Sequence, residues 1–122
     1  MNILIVEDNP TDMKLFSAVL DAGGHRVLGK ISAEEALLEI QARRPEMILL
    51  DLRLPGMDGL ALARLLKQNP STRQIPIVAL TAAREEFTRA AALEAGCDAF
   101  ILKPVDTRRL TEEVVNIASK AG

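Results

Sequence analysis

Four short runs of consecutive apolar residues most limit what this chain can fold into: Ile3-Leu4-Ile5-Val6, Met47-Ile48-Leu49-Leu50, Ile77-Val78-Ala79-Leu80 and Ala99-Phe100-Ile101-Leu102. Each is too short for a helix, and none alternates apolar with polar as a half-exposed strand does. They read as strands buried on both faces, the pattern of a parallel sheet covered by helices. A weaker fifth run, Arg26 to Ile31, carries Gly29 and two charges and suits a sheet edge. No run approaches the roughly 20 apolar residues of a membrane span, and acids follow Val6 too soon for an export signal.

Helix-length segments separate the runs, each with a boundary signal. Asn9-Pro10 reads as an N-cap with proline at the first helical position; Met13, Phe16, Val19 and Leu20 then mark one face, and Gly23-Gly24 stop the helix. Ser32-Ala33-Glu34-Glu35 has the capping-box pattern and opens a helix running towards Arg43, before Pro45. Asp58 caps a third helix with Leu62, Leu65 and Leu66; a fourth runs from about Glu85 to Ala95; a fifth starts after Asp106 and presents Leu110, Val114 and Ile117. Strand and helix thus alternate five times without linker or repeat, which predicts one α/β domain over residues 1–122. Right-handed crossovers with the Arg26 strand at an edge give a five-stranded parallel sheet in the order 2-1-3-4-5.

In such sheets ligands bind beyond the carboxyl ends of the strands, where strand order reverses. The residues standing there are Glu7, Asp8 and Asp51, with Thr81 after the third strong run and Lys103-Pro104 after the fourth. Taken singly, Glu7-Asp8 is a solvated turn, Asp51 and Thr81 are caps, and Lys103-Pro104 is a loop. Their joint occurrence at one sheet edge favours a site. Two like charges about 4 Å apart repel by about 1 kcal/mol in water and about 4 kcal/mol at an effective dielectric of about 20. Three acids together therefore call for protonation or a cation. Oxygen ligands without neighbouring His or Cys select a hard ion, Mg²⁺ or Mn²⁺. With Lys103 as second cation and the Thr81 hydroxyl as donor, the set could neutralise a phosphoryl group in transfer, Asp51 being the natural nucleophile.

These residues resemble the receiver domain of bacterial two-component response regulators. The stretches that carry the resemblance are Ile3 to Asn9, Leu50 to Gly59, Leu80-Thr81-Ala82 and Leu102-Lys103-Pro104. The resemblance implies a flavodoxin-like, doubly wound fold and phosphorylation of Asp51 by a sensor histidine kinase or a histidine phosphotransfer protein. It implies Mg²⁺ on Glu7, Asp8, Asp51 and the backbone carbonyl of Arg53, with Lys103 and the hydroxyl of Thr81 on phosphoryl oxygens. The small Ala82 would lie beside the phosphoryl group, and a cis peptide bond would join Lys103 to Pro104. Arg53 and Ala83 occupy positions where family members tune dephosphorylation. Phe100 stands where an aromatic swings inward as the threonine moves; the plainer alternative is a strand residue half-packed under a helix, and both stay open. Phosphorylation would then change partner binding through the helix 4–strand 5–helix 5 face, in a signalling module rather than a turnover enzyme.

Composition trims the alternatives. One cysteine, Cys97, allows no internal disulfide and fits a reducing cytoplasm, where it reads as a small buried hydrophobe. A net charge of −2 speaks against direct nucleic-acid binding, and 2% aromatics against flavin or base stacking. A metal-dependent phosphatase of the haloacid-dehalogenase kind needs an acid where Arg53 stands, and a pseudo-receiver does not need Asp51 and Lys103. His25 lies away from the acidic set. A stand-alone receiver, monomeric or weakly dimeric, is the expectation; a fragment of a regulator with a DNA-binding or enzymatic output domain is the alternative.

Overall fold

The computed structural model describes residues 1–82 and 87–121. Strands β1 (Asn2–Val6), β2 (Arg26–Lys30), β3 (Met47–Asp51), β4 (Ile77–Thr81) and β5 (Ala99–Leu102) alternate with helices α1 (Pro10–Ala22), α2 (Ala33–Ala42), α3 (Gly59–Gln68), α4 (Arg89–Glu94) and α5 (Leu110–Ala121). All strand pairs are parallel, in the order β2-β1-β3-β4-β5. This is the parallel, helix-covered arrangement expected from the runs and the flavodoxin-like, doubly wound fold that the resemblance implies. Successive side chains of each strand enter opposite layers. Leu4, Val6, Ile48, Leu50 and Ala79 meet α2, α3 and α4 through Ile40, Leu62, Leu66 and Ala92. Ile3, Ile5, Leu49, Val78 and Leu80 meet α1 and α5 through Phe16, Leu20, Leu110 and Val114. Burial in two layers is why β1, β3 and β4 read as unbroken apolar runs.

Local chemistry starts the helices where the sequence places them. The Asp12 N–H donates to the Asn9 side chain at 3.1 Å, Glu35 N–H to Ser32 at 3.1 Å, and Ala61 N–H to Asp58 at 2.8 Å. Each bond satisfies an amide that the helix itself leaves unpaired. The β3–α3 loop turns at Gly56, whose φ of +70° lies in the left-handed region. Glu34 on α2 accepts the next amide, that of Met57, at 3.3 Å.

Two expectations change. The run at β5 is only half-buried, and Leu102 is 49% exposed, because β5 forms the second edge of the sheet. Helix α4 begins at Arg89, where Thr88 accepts the Ala91 N–H at 3.0 Å; the expected start at Glu85, like Ala83, lies outside the described residues. Among the described residues no helix is long and apolar enough to cross a membrane.

Candidate functional site

The carboxyl ends of β1, β3, β4 and β5 open onto a cleft of about 390 Å³ lined by Asp8, Asn9, Asp12, Asp51, Arg53, Thr81, Ala82 and Lys103. The parallel register builds it. Asp51 closes β3 opposite Leu80, so Thr81 stands one residue further along β4. The Lys103 N–H donates to the Thr81 carbonyl at 2.9 Å, which brings the β5 loop back over the same edge. The Lys103–Pro104 peptide bond is cis.

One carboxylate oxygen from each of Glu7, Asp8 and Asp51 lies within 4.8 Å of the other two. Glu7 is 1% exposed and Asp51 7%, whereas Asp8 faces solvent. The all-oxygen donor set suits a hard divalent ion, and its clustered charge calls for one. Asp51 is held at both oxygens: Oδ1 accepts the Arg53 N–H at 3.0 Å and Oδ2 the Lys103 ammonium at 3.2 Å. Glu7 Oε1 takes Lys103 at 2.7 Å while Oε2 takes the Asn9 N–H at 3.1 Å. Burial is the main reason the Glu7 carboxyl is pushed up to about 7; the Asp51 carboxylate adds to it, and the Lys103 and Asn9 bonds oppose it. For Lys103 burial opposes the charge, yet the bonds to Asp12 and Glu7 and the Asp51 charge outweigh it and raise its pKa above the ordinary lysine value.

The cleft therefore gathers Glu7, Asp8, Asp51, Thr81 and Lys103 from four strand ends, with Ala82 and Arg53 on its rim. Phe100 lies half-buried below on β5, packed against the α2–α3–α4 layer, with the Arg89 guanidinium 5.4 Å from its ring centroid. Asp12, absent from the sequence reading, also reaches the cleft and accepts the Lys103 ammonium at 2.8 Å. An acid in the first turn of a helix is ordinary cap chemistry, so nothing in the sequence marks it. His25 stands elsewhere, beside the N-terminal ammonium, and Cys97 is buried at the α4–β5 turn with its thiol pushed up to about 11 by burial.

The family description "Response regulator receiver domain" matches residues 3–115. This chain belongs to the response regulator receiver family. The polar-differentiation response regulator DivK of Brucella anthropi is 34% identical over 113 residues, covering 93% of this receiver and 92% of DivK. The receiver domain of a signal transduction histidine kinase from Syntrophus aciditrophicus superposes with a TM-score of 0.89 at 36% identity, over 97% of this chain and 89% of that one. The receiver domain of a sensor histidine kinase from Pseudomonas aeruginosa has a TM-score of 0.87 at 32% identity over 96% of each chain; magnesium is coordinated in its active-site cleft. The receiver is thus a signalling domain of the two-component type, a class that interacts with histidine kinases.

Proposed function

We propose that this receiver accepts a phosphoryl group on Asp51 from a phosphohistidine of a histidine kinase or phosphotransfer protein. An Asp51 carboxylate oxygen forms the new P–O bond as the donor's P–N bond breaks, and the departing imidazole keeps the electron pair. The observation that carries this reading is Asp51 itself, buried between the Glu7–Asp8 acids and the Lys103 ammonium. Glu7, Asp8, Asp51 and the Arg53 carbonyl would hold Mg²⁺, or Mn²⁺ in its place. A bound divalent ion supplies charge neutralisation for the transferring oxygens.

The chain's own groups do the rest. The Arg53 N–H and Lys103 orient the Asp51 carboxylate, Lys103 adds positive charge, and Thr81 and the rim residue Ala82 face the space a phosphoryl group would take. The resemblance adds a switch in which the Thr81 hydroxyl moves towards the phosphoryl group and the Phe100 ring swings inward behind it. Leu93 on α4, Leu102 on β5 and Val115 on α5 are each more than 40% exposed, which supports partner contact through the α4–β5–α5 face. Incubation with Mg²⁺ and acetyl phosphate should add one phosphoryl mass to the wild type and none to Asp51→Asn. Equal uptake by Asp51→Asn sinks the assignment.

A further inference from the structure

The Lys103 ammonium has no free donor among the described residues. An ammonium carries three N–H bonds, and Glu7, Asp12 and Asp51 accept one each at 2.7, 2.8 and 3.2 Å. A phosphoryl group on Asp51 can therefore inherit the donor that Asp51 Oδ2 now holds, but it gains a second bond from Lys103 only if Glu7 or Asp12 lets go.

The surroundings of each acid decide which one. The Glu7 side chain is 1% exposed and its other oxygen is tied to the Asn9 N–H, so it is held in place and cannot swing away into water. Asp51 is the acceptor and is anchored by the Arg53 N–H. The Asp12 side chain is 29% exposed, and among the described residues Lys103 is the only polar partner of its carboxylate. It can turn into water while its own N–H stays on the Asn9 cap, so α1 keeps its start. Four residues on, and so on the same face of α1, the buried Phe16 ring lies 5.8 Å from the Lys103 nitrogen and flanks it independently of the Asp12 bond.

We propose that Asp12 is a positioning residue that clasps Lys103 in the unphosphorylated receiver and yields its place on the ammonium to a phosphoryl oxygen. The proposal rests on Asp51 as phosphoacceptor. Asp12 slows the reaction in two ways: it competes for Lys103, and it adds a negative charge facing an anionic donor.

The test uses beryllofluoride, an unreactive phosphoryl mimic, titrated at saturating Mg²⁺ and followed by ¹⁹F NMR, alongside the rate of phosphate uptake from acetyl phosphate. Removing one charge at this range through a partly solvated cleft predicts that Asp12→Asn and Asp12→Ala bind beryllofluoride about three- to tenfold tighter and take up phosphate faster by a similar factor. Asp12→Glu, which restores the anion, stays within about twofold of the wild type. A residue that merely supported the fold would weaken both readouts. If the wild type binds the mimic and both neutral variants bind it no tighter, the clasp is wrong and the phosphoacceptor reading survives. A wild type that takes neither mimic nor phosphate overturns both.

Discussion

Gly59 stands against the backbone of Asp51 with no room for a side chain: a Cβ there would lie 2.5 Å from the Asp51 carbonyl oxygen and 2.6 Å from the Leu52 Cα. The Gly59 N–H also donates to the Leu52 carbonyl at 2.9 Å, so the first residue of α3 is pinned to the end of β3. The close approach sets the position of the candidate phosphoacceptor. Gly59→Ala should therefore destabilise the receiver by about 1–3 kcal/mol in urea titrations, although alanine is the better helix former. Phosphate uptake should fall with it. A variant as stable as the wild type would mean that the backbone yields at no cost.

Lys103 is the only cation within bonding distance of Glu7, Asp12 and Asp51 among the described residues. Lys103→Met should cost about 1–3 kcal/mol without metal, the smaller end applying if Glu7 takes up a proton. Mg²⁺ should recover more stability in the variant than in the wild type, because the acids then bind the ion without an internal competitor. Equal Mg²⁺ stabilisation of the two proteins in thermal melts contradicts this.

Glu7 gives the metal-free receiver a pH signature. Its folded-state pKa, near 7, lies above the ordinary value of 4.5, so between those values the folded chain holds a proton that the unfolded chain has released. Stability then falls as pH rises through that window. Chemical denaturation at pH 5, 6 and 7 in chelator should show the wild type losing ground relative to Glu7→Gln. Parallel curves for the two proteins would remove the buried-acid argument.

Asp8 is exposed and makes no hydrogen bond through its side chain among the described residues, so its cost in the fold is small. Asp8→Asn should stay within about 0.5 kcal/mol of wild-type stability and lose about tenfold or more in Mg²⁺ affinity. Calorimetry is the suitable readout, since the chain has no Trp or Tyr to report binding by fluorescence. Unchanged Mg²⁺ affinity would take Asp8 out of the metal set.

Most of the fold is legible because its signals are local. Helix starts at Asn9, Ser32 and Asp58 follow from side chains that bond amides three residues ahead. Burial of β1, β3 and β4 on both faces leaves runs with no polar break. The run at β5 looks the same in sequence, and nothing in it shows that one side lacks a neighbouring strand. Glu7, Asp8, Asp51, Thr81 and Lys103 are legible as a group because each closes or closely follows an apolar run, and parallel strands all end at the same edge.

Asp12 shows where legibility stops. As the third residue of a capped helix it already has a sufficient local explanation, and its partner Lys103 lies 91 residues away. Sequence order and period alone determined the strands, their direction and the edge at which the polar residues collect, since these depend on burial pattern and chain connectivity. Which acids share the Lys103 ammonium, how deeply Glu7 is desolvated, and how tightly Gly59 seats against Asp51 were decided only by the tertiary structure. Those are distances between elements remote in the chain, and packing sets them.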